Sequence, residues 1–186
     1  MNTLGGGGFD WMLNAGFKEK DFIPLRYPTL DEFEKNNIQI VYLGWFLGDW
    51  SLTNNGAISA LTGIKIRNDV ARNTGDLYGV TALDESWVTL NQMIKYYKYG
   101  FGRASDYVNE MIRLDLLTRE EGIEIVAEFD GACSSVYIES FCEFIDISVD
   151  SFWEKVVSVT NTDLFKIVGP REIRRKFSVG TGEVLK

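Results

Sequence analysis

The chain reads K-Y-Y-K-Y-G-F-G-R-A-S-D-Y-V-N-E from Lys95 to Glu110, and this stretch combines basic residues, aromatic residues and two glycines. Gly100 and Gly102 interrupt an apolar helical pattern, and Ser105 and Asp106 follow as typical residues of a new helix start. A helix, a glycine turn and a second helix would present backbone N–H groups beside fixed positive charge, which suits a phosphate or carboxylate. The alternative is an ordinary helix–helix corner with solvated basic residues, because glycine turns are common.

Length, composition and charge limit the class of protein. The 186 residues predict one domain or slightly more, with 45% hydrophobic and 25% charged residues as in soluble globular proteins. The net charge of -8 argues against a general nucleic-acid binder. Neither a signal-peptide pattern nor an apolar run of membrane-spanning length is present, so we expect a cytoplasmic protein without membrane or nucleic-acid partners.

Metal and histidine chemistry is restricted by the residue types. The chain has no histidine, which excludes histidine-based catalytic triads and histidine zinc ligands. Its two cysteines, Cys133 and Cys142, are too few for a zinc tetrad, and we expect them to behave as small apolar residues in a reducing compartment. No metal-binding residue is predicted on this chain.

Most of the sequence predicts helices. Thr29 with Glu32 and Thr118 with Glu121 form two capping boxes, each of which marks a helix start. Apolar residues recur at helical spacing in the second half, which predicts a helical core. The stripes comprise Leu83, Trp87, Leu90, Ile94 and Tyr97, then Ile138, Phe141, Cys142 and Ile145, then Phe152, Trp153, Val156 and Val159.

One segment predicts a strand. Residues 38–43 read I-Q-I-V-Y-L, an apolar and β-branched run typical of a buried strand in a parallel sheet. No other segment matches it, so the sequence predicts the last strand of a sheet whose other strands lie elsewhere. The fold class is therefore mainly α with a short β element.

A second candidate site follows this predicted strand. Residues 44–50 read G-W-F-L-G-D-W, and open α/β sheets bind ligands at the carboxyl ends of their strands. Trp45, Phe46 and Trp50 would line a ligand pocket there, with Asp49 as its polar group. Hydrophobic packing under the next helix explains the same residues equally well.

The predicted domain organisation has four parts. Residues 1–20 form a flexible lead-in with four consecutive glycines, and residues 21–80 form the end of an α/β sheet region and a connecting loop. Residues 81–168 form a helical C-terminal domain, and residues 169–186 form a frayed, solvated tail.

Several segments together resemble one family. They read K-Y-G-F-G-R-A-S-D at residues 98–106, I-R-L-D-L-L-T-R-E-E-G-I-E-I-V at 112–126, F-D-G at 129–131, and a longer run at 137–157. The upstream segments at 27–34 and 40–50 are consistent with them. Residues 20–165 thereby resemble the C-terminal half of the N-acetyl sugar amidotransferases, which act in surface-polysaccharide and pseudaminic- or legionaminic-type sugar pathways.

The resemblance implies a fold and an activity. Such enzymes resemble the N-type ATP pyrophosphatases, so the chain would be the helical part of an α/β, adenine nucleotide α-hydrolase-like enzyme. They use ATP and Mg²⁺ to activate an amide oxygen, and ammonia from a glutaminase partner then converts a sugar acetamido group to an acetamidino group. The implied site residues are Lys98 and Arg103 on ATP phosphates or a sugar carboxylate, with Asp106 orienting Arg103. The resemblance makes the pocket of Trp45, Asp49 and Trp50 a second candidate, for sugar contact.

The chain departs from that family in one respect. The pyrophosphatase loop Ser-Gly-Gly-x-Asp-Ser and the cysteine-rich N-terminal stretch are absent from the sequence. We therefore expect a C-terminal portion that works beside a chain carrying the loop, or beside another copy of itself, and that is inactive alone. The alternative is a non-catalytic helical interaction module or a remnant.

Overall fold

A computed structural model describes residues 8–48 and 50–184. The chain divides into two compact units, residues 1–48 and 49–186. The described residues are mainly helical and include a small two-stranded sheet, which confirms the predicted mainly α class with a short β element. The ATP-pyrophosphatase assignment and the four domain limits stay predictions. In the described part of the chain, no helix is long and apolar enough to cross a membrane.

The first unit consists of short helices around an aromatic pair. Phe9 and Phe22 are buried, and their rings stack with centroids 4.9 Å apart. The Thr29 capping box forms as predicted, since the Thr29 hydroxyl accepts from the Glu32 N–H and the Glu32 carboxylate accepts from the Thr29 N–H. The helices are α1 at Asp10–Asn14, a 3-10 helix at Glu19–Leu25, α2 at Leu30–Lys35 and a 3-10 helix at Leu43–Phe46.

The predicted strand at residues 38–43 is wrong. Residues 38–42 are outside any helix or strand, and their apolar side chains are exposed, with Ile40 at 57% and Tyr42 at 73%. A strand requires a hydrogen-bonding neighbour, and no described residue pairs with this segment. Its apolar, β-branched composition therefore does not suffice to form a strand here.

The second unit contains the remaining helices and the sheet. Its helices are α3 at Leu52–Leu61, α4 at Ala71–Thr74, α5 at Val88–Tyr99, α6 at Arg103–Arg113, α7 at Arg119–Phe129, α8 at Ser135–Phe144 and α9 at Val149–Val159. The Thr118 capping box opens α7, as the sequence predicts.

Three helices share the main apolar core. Helices α5, α8 and α9 each place apolar side chains on one face, and these side chains pack together away from water. This confirms most of the apolar stripes predicted at residues 83–97, 138–145 and 152–159. Leu83, Ile145 and Val159 are exposed and lie outside the core. The buried members are Leu90, Met93, Ile138, Cys142, Phe152 and Val156.

A two-stranded sheet extends from the end of the predicted helical domain, residues 81–168, into the segment that the sequence predicts to be a frayed tail, residues 169–186. Strand β1, Phe165–Gly169, pairs antiparallel with β2, Glu172–Arg175. The buried Phe165 ring meets the rings of Tyr96 at 5.0 Å and Phe177 at 5.7 Å, so an aromatic cluster fixes the hairpin against α5. The prediction of a solvated end beyond Pro170 is wrong for these residues because distant aromatic contacts order them.

Candidate functional site

The predicted corner between two helices is present. Helix α5 ends at Tyr99, and Gly100 follows with a φ of 83°, a left-handed conformation that glycine adopts without strain. The Gly100 N–H donates to the Tyr96 carbonyl at 2.7 Å and closes the helix. Gly102 then precedes α6, which begins at Arg103.

Asp130 caps the start of α6. Its Oδ2 accepts from the Gly102 N–H at 2.9 Å and from the Ser105 hydroxyl at 2.5 Å, and its Oδ1 accepts from the Ser105 N–H at 3.1 Å. Gly102 itself is buried. The expectation of exposed N–H groups is therefore wrong at Gly102 and Ser105, because a carboxylate of the chain already binds them.

Two basic side chains of the corner share one carboxylate. The Lys95 Nζ lies 3.2 Å from the Asp106 Oδ2, and the Arg103 Nη1 lies 4.0 Å from the same oxygen. Lys95 also lies over the Phe101 ring, 4.5 Å from its centroid. Asp106 is thus bound more closely by Lys95 than by Arg103, the residue that it was predicted to orient.

Lys98 lies apart from this group. It is exposed, and its Nζ is 5.4 Å from the centroid of the neighbouring Tyr99 ring. In the described chain it forms no ion pair or hydrogen bond with Arg103 or Asp106. A role for Lys98 in anion binding stays a prediction.

Arg103 combines burial with unused donors. Its side chain is only 22% exposed, yet its guanidinium hydrogen-bonds to no residue that the structure describes. A guanidinium has five N–H donors in a planar fork, which matches a carboxylate or phosphate. None of its nitrogens is a buried atom without a partner, so water or a ligand reaches them.

A buried polar chain lies beneath α6 near Arg103. Tyr107, one turn after Arg103, donates its hydroxyl to Thr81 Oγ1 at 3.4 Å, and the Thr81 hydroxyl donates to Asp76 Oδ2 at 3.1 Å. The N–H groups of Tyr78 and Gly79 donate to Asp76 Oδ1. Burial raises the pKa of Tyr107, while the positive charge of Arg103 opposes that rise.

Asp76 and Asp130 are residues that the sequence reasoning missed. Asp76 stands in the segment that is predicted to be a connecting loop, although the sequence D-L-Y-G at residues 76–79 is typical of a turn held by an aspartate side chain. Asp130 lies in the F-D-G segment that contributes to the family resemblance, but the sequence pattern predicts neither a structural nor a functional role for its side chain. The local sequence could have predicted the turn at Asp76, but it could not have predicted that Asp130 caps the start of α6.

The predicted sugar pocket has two described members. Trp45 is 87% exposed and Trp50 is 63% exposed, and they belong to different units of the chain. Asp49 lies outside the described residues. A pocket formed by these three residues stays a prediction.

No cluster of metal ligands is identified in the described chain. Within residues 8–48 and 50–184, no three or more aspartate, glutamate or cysteine residues are grouped so that they could hold a metal ion. The sequence has no Ser-Gly-Gly-x-Asp-Ser loop to bind the phosphates of ATP. Binding of ATP and Mg²⁺ by the full enzyme, and not by this chain alone, stays a prediction.

The fold and the corner define a helical domain with a partly buried arginine beside the Asp106 carboxylate at the start of α6. The chain belongs to the family described as LPS biosynthesis protein WbpG-like, C-terminal domain, whose model matches residues 76–176. This confirms the resemblance to the C-terminal half of the N-acetyl sugar amidotransferases and assigns the chain to a family of LPS biosynthesis. The match includes Arg103, Asp76 and Asp130. A search of curated proteins finds no match.

Proposed function

We propose that the chain is the C-terminal portion of an ATP-dependent N-acetyl sugar amidotransferase in LPS biosynthesis. ATP adenylates the amide oxygen of a sugar acetamido group and releases pyrophosphate, and ammonia then displaces AMP, which carries that oxygen away, to give an acetamidino group. A glutaminase partner supplies the ammonia, and the sugar belongs to a pseudaminic- or legionaminic-type pathway. Family membership supports the pathway, and the geometry at Arg103 supports a role in substrate binding.

The observation that carries this proposal is the guanidinium of Arg103, which hydrogen-bonds to no described residue and forms only a 4.0 Å ion pair with Asp106. The side chain is held mostly out of water at the start of α6, but its N–H donors remain open. A partly buried arginine binds an anion more strongly than a fully solvated one, because the surrounding protein screens the charge less. Arg103 therefore binds a phosphate or carboxylate of the substrate.

The residues near Arg103 have further roles in this proposal. Asp106 lies closer to Lys95, at 3.2 Å, than to Arg103, at 4.0 Å, and the guanidinium of Arg103 therefore keeps its hydrogen-bond donors for the ligand. The hydrogen bonds that join Tyr107 to Thr81 and Thr81 to Asp76 hold α6 against the turn that carries Asp76. ATP and Mg²⁺ bind on a chain that carries the pyrophosphatase loop, so this chain alone is inactive.

The test is reconstitution with labelled ammonia. The chain is mixed with a purified chain carrying the Ser-Gly-Gly-x-Asp-Ser loop, ATP, Mg²⁺, isotopically labelled ammonium and a panel of nucleotide-linked N-acetyl sugars. Mass spectrometry measures the label in the sugar, and a coupled assay measures pyrophosphate. Arg103→Ala is expected to lower turnover about a hundredfold, since it removes a charged ligand contact. Arg113→Ala, at the other end of α6, serves as the matched control.

Each outcome decides a part of the proposal. Equal turnover by Arg103→Ala and the wild type would reject Arg103 as a ligand-binding residue. Absence of label in every sugar would reject the amidotransferase activity. Pyrophosphate release by the isolated chain would reject the requirement for a second chain.

A second candidate function is a non-catalytic interaction module. The observation that favours it is the exposed apolar segment at residues 38–47, which includes Tyr42 at 73% exposure. Large exposed apolar surfaces mark protein-interaction sites. Binding of a partner without label transfer in the reconstituted mixture would favour this function.

A further inference from the structure

We propose that Asp130 is a positioning residue that fixes the direction of the Arg103 side chain. Asp130 lies at the end of α7, and Arg103 is the first residue of α6. The inference rests on the proposed anion-binding role of Arg103. It assigns a function to the F-D-G segment at residues 129–131, which the activity proposed above does not use.

Asp130 forms hydrogen bonds to residues on both sides of Arg103 in the sequence. The carboxylate binds the N–H of Gly102, the residue before Arg103, and both the N–H and the hydroxyl of Ser105, two residues after it. The first turn of α6 is thereby held at two points. The Cα of Arg103 lies between them, so the direction in which its side chain leaves the helix depends on this carboxylate.

The contact between the Asp130 carboxylate and the start of α6 leaves little space for either group to move. A Cβ added to Gly102 would lie 3.1 Å from the Asp130 Oδ1, so the backbone approaches the carboxylate as closely as glycine allows. Gly131 has a φ of 79°, and a Cβ there would lie 2.2 Å from a carbon of the Tyr96 ring. The turn that carries Asp130 is therefore pressed against α5, which fixes the position of its carboxylate.

The negative charge of Asp130 also determines which groups at the start of α6 can bind an anionic ligand. A carboxylate at a helix N-terminus is favoured by the backbone N–H groups and the helix dipole. Because Asp130 occupies part of that position, a substrate anion meets the side chain of Arg103 instead. No ion pair between Asp130 and Arg103 occurs among the described residues, so the Asp130 carboxylate does not occupy the N–H donors of the guanidinium.

The test is a double-mutant cycle on the full chain with inorganic pyrophosphate as the ligand. Titration calorimetry measures the affinity of the wild type, Asp130→Asn, Arg103→Ala and the double variant. We expect Arg103→Ala to weaken binding about tenfold and Asp130→Asn to weaken it about fivefold, as for charge-assisted contacts. In the Arg103→Ala background, Asp130→Asn should change the affinity less than about twofold.

Two further variants keep the result interpretable. Ser105→Ala removes one of the bonds to Asp130 and, if Asp130→Asn does not fold, should show a smaller effect with the same dependence on Arg103. Asp163→Asn, which removes an exposed carboxylate elsewhere, should leave binding unchanged. Circular dichroism verifies the fold of every variant.

The outcomes separate the two proposals. If the effects of Asp130→Asn and Arg103→Ala multiply, Asp130 has only a general structural role and the positioning inference is overturned, while Arg103 keeps its anion-binding role. If Arg103→Ala binds pyrophosphate as tightly as the wild type, the anion-binding role fails and the inference fails with it.

Discussion

Helices α2 and α7 are capped by residues at the helix start itself, whereas carboxylates far along the chain bind the starts of α6 and α3. The start of α3 has a local cap as well, since the Ser51 hydroxyl accepts from the Asn54 N–H. Thr118 and Glu121 satisfy the start of α7 three residues apart. Asp130 reaches α6 from another helix end. Glu110 reaches α3 from α6, where it accepts from the N–H groups of Leu52 and Thr53 at 2.9 Å each.

The two kinds of cap have different consequences. A local capping box stabilises its helix even before the chain has folded, because all its groups lie within one turn. A distant carboxylate stabilises the helix start only when two parts of the fold have come together. We therefore expect the distant caps to contribute more to the free energy of unfolding, since their loss leaves semi-buried N–H groups without a partner.

The largest expected effect concerns the turn that supports the distant cap of α6. Gly131→Ala should lower the free energy of unfolding by about 3 kcal/mol, from left-handed strain together with overlap with the Tyr96 ring. Gly182→Ala is the matched control, because its φ is 72° but nothing lies within 4 Å of the added Cβ. It should cost about 1 kcal/mol.

Urea denaturation followed by circular dichroism measures both losses of unfolding free energy. Equal losses for the two glycine variants would show that the packing of the Gly131 turn on Tyr96 does not matter.

The second prediction removes the distant cap of α3. Glu110→Ala should cost about 2 kcal/mol, because the N–H groups of Leu52 and Thr53 lose their acceptor. Urea denaturation measures the loss, and Glu124→Ala, an exposed glutamate on α7, serves as the control. A loss no larger than that of Glu124→Ala would remove the difference between distant and local caps.

The third prediction concerns a local cap. Thr118→Ala should cost about 1 kcal/mol, the usual effect of losing a threonine N-cap. Thr162→Ala, an exposed threonine outside the helices, should cost much less in the same urea titration. If Thr118→Ala destabilised the chain more than Glu110→Ala, the proposed ranking of the two kinds of cap would be reversed.

The smallest expected effect is a pH dependence in α2. Bonds from Arg26, and then from the Thr29 N–H, lower the pKa of Glu32 from 4.5 to about 2. A lowered folded-state pKa means that the stabilisation is complete above pH 4.5 and is lost as the pH falls through about 2. Glu32→Gln should therefore flatten the decline in unfolding free energy over this range.

Denaturation curves at several acidic pH values measure this slope. Arg26→Gln should flatten only part of the same decline, because the bond from the Thr29 N–H remains, and the double variant should have the profile of Glu32→Gln alone. A double variant with a flatter profile than Glu32→Gln would contradict this assignment.

The same comparison explains which features the sequence could predict. Thr29 with Glu32 and Thr118 with Glu121 are patterns within four residues, and both formed as predicted. The apolar stripes around Leu90 and Phe152 were also predicted, since helical periodicity is a local property.

Features that depend on distant partners were predicted poorly. Residues 38–43 have the composition of a strand, but strand formation depends on a neighbour that the sequence pattern cannot identify. The hairpin after Phe165 was missed because its order comes from contact with Tyr96 on α5. Asp130 was missed as a cap for the same reason, although Arg103 was selected from its local sequence.

The exposed tryptophans have a consequence for spectroscopy. Trp11, Trp45 and Trp50 are three of the five tryptophans in the chain, and each is more than half exposed. Indole emission moves to shorter wavelengths when water leaves the ring, so the folded chain should already emit much as the unfolded chain does. Intrinsic fluorescence would therefore report unfolding weakly, but it would report, without any added label, the arrival of a partner that covers these rings.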